Sequence, residues 1–144
     1  MKTNIRTINN GKTKETPVQF ITKQDVPKQF SGWCYVLETN DLFHYSFGML
    51  HSVNDEPAQI NESEQRWYKL GVHHRENGPA TIGTFYKAWY HNGVPHRLNG
   101  PALYSDVLNS LEATYAIHGT YMKEKDYYNH PKVIKYLMNQ IIDF

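Results

Sequence analysis

Residues 67–80 read WYKLGVHHRENGPA and residues 89–102 read WYHNGVPHRLNGPA, so that each matched position recurs after 22 residues. An internal repeat with a period of about 20 to 50 residues is typical of solenoids and repeat arrays, because one short unit cannot bury its own apolar face and must stack on neighbours. The sequence therefore predicts an array of stacked units.

The first half of each unit carries a hairpin signal. Trp89 and Tyr90 are strand formers, and Asn92-Gly93 follows them closely. An Asn-Gly dipeptide favours the type I′ turn of a tight hairpin, because both central residues of that turn need a positive φ. We expect each unit to contain a hairpin.

The second half of each unit carries another turn signal, Asn-Gly-Pro, at residues 77–79 and 99–101. Glycine accepts dihedral angles that other residues avoid, and we expect Gly78 and Gly100 to occupy angles closed to branched residues. Residues 80–88, between the copies, are β-branched and aromatic and predict a strand.

Weaker copies lie on both sides of the two clear ones. Residues 44–51 match residues 67–74 at a displacement of 23, and residues 57–60 match residues 79–82 at 22. Residues 115–121 keep an aromatic residue and the glycine. Terminal repeats are often atypical because one of their faces meets a cap, so the pattern predicts four units.

Two short strands are expected before the repeats. Residues 11–17 mix acidic and basic side chains and predict a loop, whereas residues 18–22 alternate as a short strand does. Residues 32–37 predict a buried strand, and residues 39–41 predict the turn that ends it.

A C-terminal helix is expected after the repeats. Its apolar positions fall on paired i and i+4 rows, at Val133, Ile134, Leu137, Met138, Ile141 and Ile142. Pro131 suits the first turn, and residues 123–128 predict a shorter helix before it. The apolar stripe is expected to cap the last strands; docking of a partner or of a second copy of the chain is the alternative.

Together these signals predict a mainly β fold, an antiparallel meander of repeated hairpins in units of about 22 residues with a C-terminal capping α-helix. A chain of 144 residues with 40% hydrophobic content suits one domain. Its expected segments are residues 1–40 (N-terminal loop and strands), 41–121 (hairpin repeats) and 122–144 (C-terminal helix).

Composition favours a cytoplasmic protein. The single cysteine, Cys34, excludes an internal disulfide and a multi-cysteine zinc site. The first ten residues are polar, so no signal peptide is expected, and no apolar run approaches the roughly 20 residues of a membrane span. The charge alternates in blocks, with +4 over residues 1–30, −6 over 31–65 and +4 over 66–105.

The aromatic pair, the Asn-Gly turn or its variant, the His-Arg pair and the Asn-Gly-Pro-Ala sequence resemble the divergent MORN-type repeats of small bacteriophage, large-virus and bacterial proteins. The resemblance covers residues 44–121, and residues 115–144 are similar to the family's ending, a final aromatic and glycine unit followed by a helix. It implies a curved antiparallel sheet of successive hairpins, in proteins that usually have no assigned enzymatic activity and that contact other proteins or lipids.

Eight histidines invite a zinc hypothesis. Equivalent positions two strands apart are roughly 10 Å from each other, so His51, His74 and His96 cannot share one ion, whose nitrogen ligands lie at about 2 Å. A site that mixes other residues, such as His73 and His91, stays open, but we expect neither a metal nor a cofactor.

The recurring His-Arg pairs, at residues 74–75 and 96–97, have two interpretations. In the structural one, their side chains form hydrogen bonds with turn carbonyls that stacking would otherwise remove from water. In the functional one, they form a ladder that grips phosphates or carboxylates. Exposure of the guanidinium groups distinguishes the two.

The sequence gives little support to an enzyme. There is no nucleophile elbow, and Cys34 lies in an apolar strand, where burial would raise its pKa and keep it inert. Four carboxylates cluster in the acidic block and are interpreted as a loop surface, at Asp55, Glu56, Glu62 and Glu64.

Our leading hypothesis is therefore a non-catalytic protein-binding module, a phage or mobile-element accessory protein that modulates or inhibits a host factor. The expected binding residues are Trp67, Lys69, Arg75, Trp89 and Arg97. A small-ligand or nucleic-acid binder, using these residues and Lys87 with the tryptophans as stacking platforms, is the second hypothesis, and a metal-dependent hydrolase is the third. Binding to nucleic acid is not expected, because the acidic block would repel it.

Overall fold

The computed structural model of this chain describes residues 16–142. They fall into two compact units, with the boundary after Gly71. The loop predicted at residues 11–17 lies outside the described residues apart from its last two, and so do the last two residues of the predicted C-terminal segment. The assignment of both units to one domain stays a prediction.

The first unit contains seven strands and one turn of 3-10 helix at Lys23–Asp25. The strands are β1 (Val18–Phe20), β2 (Gly32–Val36), β3 (Asp41–Ser46), β4 (Met49–Leu50), β5 (Gln59–Ile60), β6 (Glu64–Arg66) and β7 (Tyr68–Lys69). The order β1-β2-β3-β5-β6 forms a sheet, and β4 pairs with the end of β3.

The pairing of β1 with β2 departs from the predicted meander, because it is parallel, with Val18 opposite Cys34. A parallel pair needs a crossover connection, and residues 21–31 provide one through the 3-10 turn. The remaining pairs of this unit are antiparallel. Side chains of β2 and β3 form the core, with Cys34, Val36, Phe43 and Tyr45 buried.

The second unit contains eight strands and two helices. They are β8 (Val72–His73), β9 (Thr81–Gly83), β10 (Tyr86–Ala88), β11 (Tyr90–His91), β12 (Val94–Pro95), β13 (Leu103–Val107), β14 (Ser110–Ile117), β15 (Thr120–Met122), α1 (Glu124–Tyr128) and α2 (Pro131–Ile142). The order β9-β10-β13-β14-β15 is antiparallel throughout, and β11 and β12 form a separate hairpin.

The prediction of a single strand over residues 80–88 is wrong. The segment is itself a hairpin, in which Lys87 of β10 lies opposite Ile82 of β9. The ring of Tyr86 occupies the space that a Cβ at Gly83 would fill, so glycine at this position lets the chain fold back on itself.

The predicted type I′ turn at Asn92-Gly93 is confirmed, with φ values of 50° and 83°. The same pair of positive φ values occurs at the three equivalent turns of the described chain, at residues 47–48, 70–71 and 118–119. Three of these turn glycines pack on an apolar residue of the preceding copy of the repeat: a Cβ on Gly71 would lie 3.8 Å from Met49, one on Gly93 3.2 Å from Val72 and one on Gly119 3.2 Å from Val94. A Cβ on Gly48 would instead meet the backbone of Lys28. Glycine is thus required both by the dihedral angles of the turn and by the close approach of neighbouring copies of the repeat.

At the second turn signal the two clear copies differ. Gly100 has φ +145°, as expected for a position that disfavours side chains, but Gly78 lies outside the positive-φ region. The prediction for Gly78 is therefore wrong. The alanine that ends the signal is fully buried in each copy, at Ala58, Ala80 and Ala102, where only a small side chain fits between packed strands.

Both predicted C-terminal helices are confirmed, as α1 and α2. Tyr127 of α1 and Val133 of α2 are fully buried against Ile117 of β14, so the helices cap the last strands. At 12 residues, α2 is too short to cross a bilayer, as is α1.

Candidate functional site

A histidine at the same position of three successive copies holds the turn of the next copy. Its Nδ1 accepts the backbone N–H of the first turn residue, in the pairs His51 with Leu70 (3.0 Å), His74 with Asn92 (2.9 Å) and His96 with His118 (2.9 Å). A ring nitrogen that accepts a hydrogen bond carries no proton, so each of these rings is neutral, with its proton on Nε2. This tautomer is assigned from the hydrogen-bond partners.

The side chains of both His-Arg pairs thus form hydrogen bonds with turns, as the structural interpretation predicts, but the histidines and the arginines bond to different backbone groups. The histidines accept turn N–H groups, whereas we had predicted that they bond to carbonyls. The arginines do bond to carbonyls: Arg75 Nη1 donates to the oxygen of Pro79 and Arg97 Nη1 to that of Pro101, both at 3.1 Å.

A groove of about 660 Å³ lies in the second unit between the two copies of the loop that follows these arginines. Its walls are Arg75, Glu76, Asn77, Gly78, Pro79, Trp89, Tyr90, His91, His96, Arg97, Leu98, Asn99 and Tyr136. The volume falls within the range of about 300 to 1,000 Å³ that small-molecule sites occupy.

Arg97 is fixed on one wall of this groove by three contacts. Its guanidinium carbon lies 3.7 Å from the centre of the Trp89 ring, a cation–π arrangement. Nε donates to Asn99 Oδ1 at 3.1 Å, in addition to the bond from Nη1 to Pro101. Burial lowers the pKa of Arg97, so its charged form has lost part of its hydration.

On the other side of the groove, a carboxylate lies between two histidines. His74 Nε2 donates to Glu76 Oε1 at 2.8 Å, and His91 Nε2 lies 3.7 Å from the same oxygen. His74 is buried and Glu76 is exposed. Within residues 16–142, this is the group of three side chains whose geometry could suit a metal ion.

The hydrogen bonds of His74 argue against metal binding at this group. A zinc-bound histidine gives a lone pair to the ion and donates an N–H from its other ring nitrogen. In His74 the other nitrogen already accepts the N–H of Asn92, so Nε2 presents a proton and no lone pair. His73, the other histidine considered for a mixed site with His91, is not part of this group; its Nε2 lies 3.0 Å from the carbonyl oxygen of Ala80 and 2.8 Å from Thr81 Oγ1.

Histidine rings continue along the groove from this group. His96 lies with its ring centre 5.8 Å from that of His91 and stacks on His118 at 4.1 Å. Burial, followed by electrostatic interaction with His118, His91 and Lys132, lowers the pKa of His96 to about 4. His96 is therefore neutral at physiological pH.

The predicted binding residues are distributed over both units. Arg75, Trp89 and Arg97 line the groove of the second unit. Trp67 belongs to the first unit and is 4% exposed, with its indole N–H bonded to the carbonyl of Asp55, so it cannot serve as an exposed stacking platform. Lys69 is exposed in the first unit, and Lys87 in the second.

Sequence reasoning missed the groove residues Tyr90 and Tyr136. Tyr136 lies on α2, outside the repeats, and no local pattern links it to Trp89 or Arg97. Its position on the helix face next to Val133 and Leu137 was the available signal, because those two residues face the strands.

Cys34 is fully buried, and burial raises the pKa of its thiol to about 11. Its predicted inertness as a nucleophile agrees with this environment, because the thiolate is the reactive form.

The outer face of α2 is a second feature of the surface. The six predicted apolar residues do not form one buried stripe. Val133 and Leu137 pack inward, whereas Ile134, Met138, Ile141 and Ile142 are 42–73% exposed. An apolar cavity of about 400 Å³ lies along this face and is lined by Pro131, Ile134, Lys135, Met138, Asn139 and Ile142.

Comparison of the chain with protein-family models, with curated proteins and with solved structures gives no match.

Proposed function

We propose that this protein is a non-catalytic repeat module that binds a partner protein through the outer face of α2. The observation that carries the proposal is the division of the predicted apolar stripe. One half of it caps the strands, and the other half, Ile134, Met138, Ile141 and Ile142, stays exposed beside an apolar cavity. Contiguous exposed apolar surface of this kind marks interaction sites.

The charges of α2 favour a particular chemistry for the partner. Between Pro131 and Ile142 the helix carries Lys132 and Lys135 and no carboxylate. Lys135 lines the cavity itself. An amphipathic segment with apolar anchors and acidic flanking residues complements this face in both shape and charge, as helices laid into apolar grooves do.

The repeats act as the scaffold of this module. Their histidines, and Nη1 of each arginine, form hydrogen bonds that hold turns, which supports a structural role for the repeated pattern. On the resemblance of residues 44–121 to MORN-type repeats, we extend the proposal to a phage or mobile-element accessory protein whose partner is a host factor.

Met138→Glu tests the proposal, because it places a charge in the middle of the apolar face without removing a buried group. Leu111→Glu is the matched control, since Leu111 is also exposed (64%) but lies on β14. In quantitative affinity capture from host lysate with the full chain, proteins retained by the wild type and by Leu111→Glu should be lost with Met138→Glu.

Two results would contradict the proposal. One is an identical set of captured proteins for Met138→Glu and the wild type, with unchanged circular dichroism. The other is a wild-type dimer in sedimentation velocity that Met138→Glu dissociates, because the face would then be covered by a second copy of the chain.

A further inference from the structure

Arg97 lacks a carboxylate counter-ion within the described part of the chain. Its hydrogen bonds go to Asn99 and to the carbonyl of Pro101, both neutral groups, and no ion pair involves it. A guanidinium group has five N–H donors, and those of Nη2 find no partner among residues 16–142. An arginine that is half-buried without a compensating anion is unusual, because burial of a charge costs free energy unless the charge is paired.

The neighbouring copy of the repeat shows what is different at Arg97. In that copy Arg75 is followed by Glu76, which brings a carboxylate to the groove. At the equivalent position after Arg97 the chain has Leu98. In both loops Nη1 of the arginine donates to a proline carbonyl at 3.1 Å. The groove thus has an acidic side at Glu76 and a side at Arg97 where positive charge is uncompensated.

The surroundings of Arg97 suit an anion. The Trp89 ring, 3.7 Å away, holds the guanidinium in place, so little side-chain entropy remains to be lost on binding. His96 also lines the groove, and because its Nδ1 accepts the N–H of His118, its Nε2 carries a proton and is a donor. Tyr90 and Tyr136 add aromatic walls.

We propose that this groove binds a small anionic molecule, with a carboxylate or phosphate group on Arg97 and its apolar part against the aromatic walls. Planar guanidinium groups bind both kinds of oxyanion with two parallel hydrogen bonds. The lowered pKa of Arg97 agrees with this assignment, since a bound anion would restore the stabilisation that the charged form has lost through burial.

Isothermal titration of the full chain with benzoate and with phenyl phosphate, at constant ionic strength set by chloride, tests the proposal. At least one probe should bind with Kd below about 1 mM, and the one that binds identifies the preferred group. In parallel ¹H–¹⁵N spectra, the Nε–H resonance of Arg97 should shift on addition of that probe.

Leu98→Glu gives Arg97 the adjacent carboxylate that Arg75 has in Glu76, and it removes none of the hydrogen bonds of Arg97. Because Leu98 also packs on the buried cluster beneath α1 and α2, the circular dichroism of this variant is compared with that of the wild type. The substitution should weaken binding at least about tenfold, and Arg97→Lys should weaken it as well, because lysine cannot form the two parallel bonds. Met138→Glu should leave it unchanged, so the groove is tested independently of the α2 face.

The proposal is overturned if neither probe binds the wild type. It is also overturned if binding leaves the Arg97 resonance in place, or if Leu98→Glu binds as the wild type does.

Discussion

His96 Nδ1 accepts the backbone N–H of His118 at 2.9 Å. His118 begins the turn of the next copy and has a positive φ of 46°. The N–H of a residue in such a turn has no strand partner in its own hairpin. The histidine satisfies it from the neighbouring copy, as His74 does for Asn92. This repeated bond explains why histidine recurs in the pattern.

Replacement of His96 should show that the hydrogen bond accepted by its Nδ1, and not the packing of its ring, stabilises the contact between neighbouring copies of the repeat. His96→Ala is expected to lower the free energy of unfolding by about 0.5–1.5 kcal/mol, because the hydrogen bond from the N–H of His118 is lost. His96→Asn should cost clearly less, since its Oδ1 can take the place of Nδ1. Urea denaturation of the two variants measures the difference; equal losses would mean that ring packing on His118 dominates.

Stability should depend on pH through the same residue. The pKa of His96 falls from 6.5 to about 4 on folding because of burial and nearby positive charge. Between these values the unfolded chain binds the proton and the folded chain does not, so the free energy of unfolding should decrease as the pH falls from about 6.5 to 4. Above pH 6.5 this contribution is fully present.

The control for this pH dependence is His96→Asn, which keeps an acceptor but does not titrate. Its free energy of unfolding, measured by urea denaturation over the same pH range, should decrease less steeply than that of the wild type. Parallel slopes would assign the pH dependence to other groups.

The two loop glycines should respond differently to the same substitution. Gly100 has φ +145°, and a Cβ there would lie 3.0 Å from Arg97 Nη1; Gly78 lacks a positive φ, and its Cβ would lie 3.2 Å from Arg75 Nη1. Gly100→Ala is therefore expected to cost at least about 1 kcal/mol more than Gly78→Ala, because backbone strain adds to a similar contact. Thermal unfolding of both variants decides this; a larger loss at Gly78 would contradict it.

Tyr127 should be the residue of α1 on which the cap depends. Its hydroxyl is buried, donates to the carbonyl of Arg97 at 2.7 Å and accepts the N–H of Gly100 at 3.1 Å. Tyr127→Phe leaves both backbone groups without this partner, and we expect a loss of about 2–4 kcal/mol in the free energy of unfolding.

Tyr128→Phe is the control for this substitution, because Tyr128 is 42% exposed. It should change the free energy of unfolding by less than about 1 kcal/mol. If the two variants unfold at the same urea concentration, the hydroxyl of Tyr127 contributes little to the cap.

Local sequence determined much of the fold. The Asn-Gly turn at residues 92–93 was predictable because its dihedral angles are a property of two residues, and the recurring aromatic and glycine pattern then placed the equivalent turns. The two C-terminal helices followed from apolar spacing and from Pro131. The parallel pairing of β1 with β2 and the hairpin at residues 81–88 were not predictable, because strand direction depends on where the chain returns and a fold-back at Gly83 depends on the ring of Tyr86.

For the candidate site, the sequence by itself supplied the residue types, the repeat register and three of the groove residues, Arg75, Trp89 and Arg97. Only the tertiary structure decided what they do. Burial removed Trp67 from the surface, hydrogen bonds from the next copy fixed the proton of His74 on Nε2, and packing left Arg97 without a carboxylate while Tyr136 arrived from α2. Burial, protonation and charge pairing are set by neighbours that are distant along the chain, and a repeat pattern records only which residues recur.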